Sequence, residues 1–231
     1  MKSVFITGTD TGVGKTVLSG TLLSLARANN ADAVPMKPVQ TGCEERDGRL
    51  VAPDLEHCLQ AAGLEPGESE RALMCPYRFT PACSPHLAAA KAGESIDIGR
   101  IVEAYTELAA RHKTVVVEGA GGILVPISRS ETMLDIMRAL SLPVILAARP
   151  GLGTLNHTLL SVSVLHAVGV EITAVVFVDT EERKWSDVER DNLDTVSEFA
   201  NVSVCHLPYL EDVRSTAVEP VVRNGLKELI E

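Results

Sequence analysis

The sequence has little positive charge, and this scarcity bears on the partners it can bind. Its 231 residues carry 21 Lys and Arg against 31 Asp and Glu, which gives a formal net charge of −10. An acidic balance of this kind does not favour nucleic acid or an anionic membrane surface, because both would repel it. We therefore expect neither as a partner. An anionic substrate would have to be held by local Lys side chains and backbone amides.

Cysteine motifs and long apolar runs are also missing. The five cysteines form no C-x-x-C pair, and no histidine stands at zinc-finger spacing. An odd, scattered set of this kind indicates reduced thiols, so we expect a cytoplasmic protein. No run of about 18 apolar residues occurs, which argues against a membrane-spanning segment. We also expect no signal peptide, since the first residues are predicted to enter a strand directly.

What the sequence does contain is a glycine-rich turn between a short apolar run and a helical pattern. Residues 2–7 are largely apolar and β-branched, residues 8–16 have the sequence G-T-D-T-G-V-G-K-T, and residues 17–28 carry apolar side chains at helical spacing. Strand, glycine turn, Lys-Thr and helix in this order are typical of a phosphate-binding loop. Thr9 stands where the strict pattern has its first glycine, and Gly8 comes one residue early.

Each part of this turn has a physical reason. Gly12 and Gly14 let the backbone point its N–H groups at a phosphate, and the dipole of the following helix adds to the attraction. Lys15 supplies a positive charge for the β- and γ-phosphates, and the Thr16 hydroxyl is a ligand for Mg²⁺. The residues predicted to contact the nucleotide here are Gly12, Val13, Gly14, Lys15, Thr16 and Val17.

Strands alternate with helices along the chain, which predicts one α/β domain over residues 1–231: a mostly parallel sheet covered by helices on both faces. Ligands then bind at the carboxyl ends of the strands. Further strands are predicted at 34–36, 114–117, 143–148, 172–178 and 202–205. Helices are predicted at 53–62, from the end of a Pro-rich turn at 81–86 through Lys91, at 98–111, 153–168 and 188–199, and from Val218. Residues 37–42 are predicted as a loop, 44–49 as a mobile polar segment and 71–77 as extended.

Two charged side chains follow predicted strands at this edge. Glu118 comes after a β-branched run, an arrangement that brings a carboxylate to Mg²⁺ beside a phosphate-binding loop. Asp is commoner there, and a capped turn is the alternative. Lys37 follows strand 34–36, where a solvated lysine is the alternative, and Thr41 offers a hydroxyl nearby. The glycines after Glu118 that are predicted to approach the ligand closely through their backbones are Gly119, Gly121 and Gly122. Those of this loop predicted to bind the nucleotide are Gly119, Ala120 and Gly121.

These residues belong to a set of motifs that resembles the dethiobiotin synthetase family. The motifs are G-T-D-T-G-V-G-K-T at 8–16, K-P-V-Q-T-G at 37–42, Asp54, S-P-H at 84–86, V-E-G-A-G-G at 117–122 and G-L-G-T-L-N-H at 151–157. Together they span nearly the whole chain. The first motif is shared with other enzymes, whereas the last one, in a chain of this length, is much more selective for this family.

The resemblance implies an ATP-dependent ligase of biotin biosynthesis. Such enzymes convert 7,8-diaminononanoate, CO₂ and MgATP into dethiobiotin, ADP and phosphate through a carbamate and a carbamic–phosphoric anhydride. Lys15 and Lys37 would supply positive charge at the reacting centre, as this joining of two anions requires. Thr11 and Thr41 would hydrogen-bond the carbamate. The ligands of Mg²⁺ would be Thr16, Asp54 and Glu118.

A homodimer with the substrate site at the subunit interface is also implied. In the family, the substrate carboxylate is bound at a helix N-terminus of the partner subunit, where free amides and the helix dipole favour an anion. The residues that correspond to this site here are Gly153, Thr154, Leu155 and Asn156.

Recognition of the nucleotide base is where the sequence departs from the family. Many members carry Asn-Asp after the strand that corresponds to 172–177, whereas this chain has Val178 and Asp179. Val178 cannot hydrogen-bond a base through its side chain, so we expect ATP to be used with weak discrimination among nucleoside triphosphates. The residues expected near the base are Asp179, Pro208, Tyr209 and Leu210.

Two other classes of protein carry a similar glycine turn. An amide synthase of the cobyric acid type has a second, glutamine-amidotransferase domain, for which 231 residues leave no room. A regulatory or partition-type ATPase would have a signature lysine where this chain has Asp10. Phosphate release separates these alternatives, because a synthetase requires diaminononanoate for it and a switch does not.

Overall fold

The computed structural model describes residues 2–213 together with Leu226 and Leu229. The strands in this part of the chain are β1 (Val4–Gly8), β2 (Ala33–Met36), β3 (Val39–Thr41), β4 (Glu44–Arg46), β5 (Arg49–Val51), β6 (Tyr77–Phe79), β7 (Thr114–Gly122), β8 (Val144–Ala148), β9 (Ile172–Val178) and β10 (Ser203–Leu207). The helices are α1 (Lys15–Ala28), α2 (Pro53–Ala62), α3 (Glu68–Met74), α4 (Pro85–Ala92), α5 (Ile98–Arg111), α6 (Met133–Leu140), α7 (Thr154–Ala167) and α8 (Asp187–Ala200). The helix predicted from Val218 lies outside the described residues.

Six strands form a central sheet in the order β10-β9-β8-β1-β7-β2. Each pair of neighbours in it is parallel. Strand β1 lies inside the sheet and is buried along its whole length, as expected for a strand covered on both faces. Because the strands run in one direction, the residues that follow them gather at a single edge.

Apolar layers cover both faces of this sheet. Successive side chains of a strand point to opposite faces, so Phe5 belongs to one layer and Ile6 to the other. Helix α5 packs on the first face through residues that include Ile101, and α1 packs on the second through residues that include Leu22. The predicted parallel α/β fold with helices on both faces is thus confirmed. Within the described residues, no helix is both long and apolar enough to cross a bilayer.

Two short segments were predicted wrongly in the region between β2 and α4. Residues 71–77 were expected to be extended, but α3 continues to Met74, since this stretch is rich in good helix formers. The extended part begins only at Tyr77, where β6 pairs in parallel with β3. Residues 37–42 were expected to be a loop, but Val39 to Thr41 form this short strand β3.

A hairpin and one helix were also missed. Residues 44–49, predicted to be mobile, form the antiparallel pair β4–β5. Its turn is Asp47-Gly48, with φ of 52° and 73°, the combination that a two-residue hairpin turn requires. Helix α6 begins behind a capping box in which Asp135 Oδ2 accepts from the backbone N–H of Thr132.

Candidate active site at the carboxyl edge of the sheet

The glycine-rich turn joins β1 to α1 and folds back on itself. Lys15 is buried, and its Nζ donates to the backbone carbonyl of Asp10 at 2.8 Å, which closes the turn. Gly14, directly before α1, has φ of 90°, and a Cβ atom there would lie 2.4 Å from Val178 Cγ1. No other residue type fits this position, because any side chain would be both strained and in collision.

A cluster of charged side chains lies beside this turn, and we call Lys37, Asp54 and Glu118 the carboxyl-end cluster. Strands β2 and β7 are paired so that Met36 lies next to Val117. The next residue of each chain segment, Lys37 and Glu118, therefore lies beside the other. Lys37 Nζ lies 2.7 Å from Glu118 Oε1 and 2.7 Å from Asp54 Oδ2, and it donates to Gly119 O at 3.2 Å. Asp54 comes from the first turn of α2.

Burial and opposite charges set the protonation of this region. Burial alone would lower the pKa of Lys37, but the two carboxylates raise it above its ordinary value. Burial would raise the pKa of Asp54, and the Lys37 ammonium holds it below its usual range. Burial and the neighbouring Lys37 charge together lower the pKa of Lys15 to about 8. Lys37 therefore stays charged at neutral pH, whereas Lys15 loses its proton under mildly alkaline conditions.

The oxygens of this site fit a magnesium ion. Thr16 Oγ1 donates to Glu118 Oε1 at 2.9 Å. Glu118 Oε2 is buried and has no hydrogen-bond partner within the part of the chain that is described, which is unusual for a carboxylate oxygen. The described residues contain no group of three or more His, Cys, Asp or Glu side chains that could hold a metal. Mg²⁺ would thus need the Thr16 hydroxyl, nucleotide oxygens and water besides the carboxylates, which is its usual environment.

Most of the residues predicted for the site line one cleft, with a volume of about 710 Å³. Val13 is buried under the turn, and Gly119 contributes its carbonyl to the carboxyl-end cluster. The predicted residues that line the cleft are Thr11, Gly12, Gly14, Lys15, Thr16, Val17, Lys37, Thr41, Asp54, Glu118, Ala120 and Gly121. The cleft is also lined by residues for which no role was predicted: Gln40, Cys83, Ser84, Pro85, Val125 and Thr180. For Ser84 and Pro85, the S-P-H motif was a signal in the sequence.

The segment predicted to bind the substrate carboxylate lies outside this cleft. Gly153 and Thr154 line a neighbouring pocket of about 270 Å³ that also contains Asp10 and Arg149. Leu155 and Asn156 do not line either of the two pockets. Helix α7 begins at Thr154, whose own backbone N–H donates to Gly151 O at 3.2 Å. Within one chain, the structure therefore does not bring residues 153–156 together with Lys37.

Asp179 is fully engaged in a network of its own. Arg183 Nε donates to Oδ1 at 3.0 Å, Trp185 Nε1 donates to Oδ2 at 2.9 Å, and His206 Nε2 lies 2.7 Å from Oδ2. The carboxylate is 3% exposed, so little of it remains to contact a base.

Trp185 and His206 were missed from the sequence; the only signal was that Trp185 is the single tryptophan of the chain. They line a pocket of about 470 Å³ together with Asp179, Pro208 and Tyr209, whereas Leu210 does not line it. The Trp185 and His206 rings lie 3.9 Å apart between centroids. The pocket thus offers aromatic surface beside three of the residues expected near the base.

The glycine turn closed by Lys15, the hydroxyl and carboxylates beside it, and the parallel sheet behind it define a P-loop nucleotide-binding protein. The family model described as an AAA domain matches residues 2–217. Among curated proteins, the ATP-dependent dethiobiotin synthetase BioD of Anaeromyxobacter sp. (strain Fw109-5) is 47% identical over 176 residues, which is 76% of each chain. The BioD of Anoxybacillus flavithermus (strain DSM 21510 / WK1) is 35% identical over 88% of this chain and 90% of its own.

These similarities show that the chain belongs to the dethiobiotin synthetase family, as its motifs predicted. Among solved structures, the MinC:MinD cell division protein complex of Aquifex aeolicus matches with a TM-score of 0.62 over 100% of this chain and 94% of the other. The two sequences are only 12% identical, so this likeness shows a shared fold alone.

Proposed function

We propose that this protein is an ATP- and Mg²⁺-dependent ligase that converts 7,8-diaminononanoate and CO₂ into dethiobiotin, with ADP and phosphate as the other products. The observation that carries the proposal is the buried Lys37, which lies in the same cleft as the Lys15 of the phosphate-binding turn. A reaction that joins two anions needs cations at that point. Family membership supports the choice of substrate.

The proposed chemistry has three steps that balance in atoms and charge. One substrate amine attacks CO₂, forms an N–C bond and releases a proton, which gives a carbamate. A carbamate oxygen then attacks the γ-phosphorus, and the bond from that phosphorus to ADP breaks. Finally the second amine attacks the carbonyl carbon, expels phosphate and loses a proton, which closes the cyclic urea.

The residues of the cleft divide these tasks. Lys15 balances the charge of the β- and γ-phosphates, and its pKa of about 8 leaves it largely protonated at neutral pH. Lys37 faces both the carbamate and the γ-phosphate, and its contribution grows as charge moves between them. The hydroxyl groups of Thr11 and Thr41, which line the same cleft, donate to the carbamate oxygens.

Mg²⁺ would be held by Thr16, Asp54 and Glu118. When bound, the ion neutralises negative charge on the phosphates. Support for this part of the proposal comes from Glu118 Oε2, a buried carboxylate oxygen without a hydrogen-bond partner in the described chain. The Thr16 hydroxyl lies directly beside the same carboxylate, so a metal bound here would contact both groups.

A homodimer completes the site in this proposal. The N-terminus of α7 at residues 153–156 lies outside the cleft of its own chain, so it would bind the substrate carboxylate of the partner subunit. Large apolar side chains around this helix support an interface: Leu152, Leu124 and Leu160 are 97%, 59% and 58% exposed. Leu124 and Leu160 also line one groove beside α7, which a second copy would cover.

A cytoplasmic location completes the proposal. Cys43, Cys58, Cys75 and Cys83 form no disulfide, as expected in a reducing compartment.

A partition-type ATPase is the weaker alternative, because Asp10 replaces the signature lysine. In this chain the Asp10 carboxylate accepts from the backbone N–H of Thr11 and pairs with Arg149.

Mass spectrometry tests this function directly. Purified protein is incubated with diaminononanoate, bicarbonate and MgATP, and dethiobiotin is quantified together with released phosphate. We expect one phosphate for each dethiobiotin and little phosphate without the diamine. Phosphate release that does not depend on the diamine, with no dethiobiotin formed, would overturn the proposal and favour an ATPase switch.

A further inference from the structure

In the carboxyl-end cluster, the Lys37 ammonium and the proposed Mg²⁺ would both use the same carboxylate oxygens. Asp54 and Glu118 are the carboxylates proposed to hold Mg²⁺, yet Lys37 Nζ contacts Asp54 Oδ2 and Glu118 Oε1, each at 2.7 Å. An ammonium and a divalent cation bound to the same two oxygens would lie close together and repel each other strongly. A metal ion bound to these two atoms would therefore compete with Lys37.

The structure gives Lys37 the surroundings of a counterion. Its side chain is only 5% exposed, and a buried ammonium is costly unless it is paired and hydrogen-bonded. Both conditions are met, since the two carboxylates and the carbonyl of Gly119 surround Nζ. In this position Lys37 neutralises one of the two carboxylate charges.

We propose that Lys37 is the resident counterion of Asp54 and Glu118, and that Mg²⁺ entering with the nucleotide displaces its ammonium and turns it toward the transferring phosphate. The inference rests on the proposed function, from which it takes the metal and the phosphate. Before loading, the ammonium balances one of the two carboxylate charges, and after loading the divalent ion balances both. The exchange also couples the catalytic placement of Lys37 to the presence of the metal.

A second arrangement of Mg²⁺ and Lys37 uses the other oxygen of Glu118, Oε2. This oxygen is buried and has no hydrogen-bond partner among the described residues, so Mg²⁺ could bind there while Lys37 stays on Oε1. Lys37 would then support the metal site by orienting Glu118. The two arrangements predict opposite signs, because removal of a competitor tightens metal binding and removal of a support weakens it.

Calorimetric titration of Mg²⁺ into nucleotide-free protein distinguishes the two arrangements. The proteins to compare are the wild type, Lys37→Gln and Lys15→Gln. Lys15→Gln is the matched control, because it removes one positive charge from the same cleft without any contact to either carboxylate. Lys15 Nζ donates to the carbonyl of Asp10 instead.

We expect Lys37→Gln to bind Mg²⁺ roughly tenfold more tightly than the wild type, since a competing cation in direct contact has been removed. Lys15→Gln should tighten binding less than about threefold, since its charge acts only from a distance. Equal effects of the two substitutions would overturn the exchange, because they would reflect net charge alone. Weaker or unchanged binding in Lys37→Gln would also overturn it and favour the Oε2 arrangement.

A second measurement covers the case in which Lys37→Gln does not fold. Side-chain ¹⁵N NMR of the wild type follows the Lys37 ammonium, with its signal assigned through Lys37→Arg, while Mg²⁺ and ADP are added. We expect the signal to shift and its hydrogen exchange to accelerate as the contacts to the carboxylates are lost. An unchanged signal at saturation would overturn the inference. Dethiobiotin formation is measured on the wild type, so failure of this inference and failure of the proposed function remain distinguishable.

Discussion

The paired stretch of strands β2 and β7, from Ala33 and Thr114 to Met36 and Val117, has a cluster of charged side chains at each end. The two clusters differ in how they are built. At the carboxyl end, the cluster of Lys37, Asp54 and Glu118 lines the cleft beside the phosphate-binding turn. At the amino end, His112 Nδ1 lies 2.9 Å from Asp32 Oδ1, and His112 Nε2 lies 2.9 Å from Glu70 Oε1. We call these three residues the amino-end cluster.

Solvent exposure explains why the two ends have different roles. In the amino-end cluster, His112, Glu70 and Asp32 are 19%, 25% and 43% exposed. Both ring nitrogens are occupied, so the cluster ties α3 and the end of α5 to the start of β2. Lys37 and Glu118, by contrast, are 5% and 3% exposed, which keeps their charges poorly screened. One end therefore contributes modest stability, and the other retains strong electrostatic interactions for a reaction.

The largest expected effect is on turnover at the carboxyl end. Lys37→Gln should lower dethiobiotin formation by roughly 10²–10³-fold, the cost of one lost electrostatic stabiliser. ATP affinity should change much less, because Lys15 and the backbone amides of the turn still hold the phosphates. Steady-state turnover and calorimetric ATP binding, measured on the same sample, check this prediction.

The amino-end cluster supplies the control for this experiment. His112→Asn should leave turnover within about twofold of the wild type, since surface ion pairs of this kind act on stability alone. Loss of ATP binding in step with turnover in Lys37→Gln would reduce Lys37 to an ordinary phosphate ligand. Equal losses of turnover in both variants would remove the distinction between the two ends.

Lys15 should affect binding more than any other residue of the cleft. Lys15→Gln is expected to weaken ATP binding roughly 10–100-fold, the range for one lost charged hydrogen bond. Because burial lowers the pKa of Lys15 to about 8, wild-type affinity should also fall as the pH rises above that value and the ammonium loses its proton. Calorimetry from pH 7 to 9.5 measures both effects. A pH dependence that persists in Lys15→Gln would assign it to another group.

Two isosteric substitutions compare the carboxylates of the carboxyl-end cluster. Glu118→Gln should lower the free energy of unfolding by about 1–3 kcal/mol, because it leaves the buried Lys37 with one charged partner fewer. Asp54→Asn should cost less than about 1 kcal/mol, since the Asp54 carboxylate is 32% exposed and screened by solvent. Urea unfolding of both variants gives the two values. A larger loss for Asp54→Asn would contradict the burial argument.

The smallest effect is expected at the amino end, and it should depend on pH. Burial would lower the pKa of His112, but the hydrogen bonds to Glu70 and Asp32 raise it. The stabilisation that comes from a raised pKa in the folded state is complete below the unfolded pKa of about 6.5. It is lost as the pH rises through the folded pKa. The hydrogen bond to His112 lowers the pKa of Asp32, so this contribution is complete above about pH 3.9 and is lost as the pH falls through the lowered value. It also ends at high pH, where His112 loses the charge that faces Asp32.

His112→Asn isolates this contribution. It should lower the free energy of unfolding by about 0.5–1 kcal/mol at pH 6 and by almost nothing at pH 9. Urea unfolding at the two pH values measures the difference. An equal loss at both would show that packing of the ring, rather than its charge, stabilises this end.

The central fold could be predicted because strands buried on both faces appear as continuous β-branched runs. The run at 114–117 and the glycine turn at 8–16 were therefore recognisable, and so was the shared edge of Lys15, Lys37 and Glu118. Short elements were not predictable to the same degree. Strand β3 exists only through its pairing with β6, a tertiary contact that leaves no periodic pattern in three residues.

Side-chain contacts made within loops and between distant elements were the other missing information. Asp179 was expected near the base, but its oxygens are occupied by Arg183, Trp185 and His206. Arg183 and Trp185 follow Asp179 by four and six residues, in the loop after β9, and only His206 comes from a distant element, β10. An irregular loop has no periodic pattern, so the sequence does not indicate that its side chains turn back onto Asp179. Lys37 shows the same limit: its position at the edge was predicted, whereas its ion pair with both carboxylates was not.

Transfer of oxygen from CO₂ to phosphate tests the central claim, that the carboxyl end of the β2–β7 pair directs a carbamate oxygen onto the γ-phosphorus. The wild type is mixed with diaminononanoate, MgATP and ¹⁸O-labelled bicarbonate in unlabelled water and quenched before the label exchanges. The released phosphate is then analysed by mass spectrometry. The account predicts one ¹⁸O atom in the released phosphate for each dethiobiotin molecule formed from labelled CO₂. Phosphate that carries no label while dethiobiotin forms would contradict it.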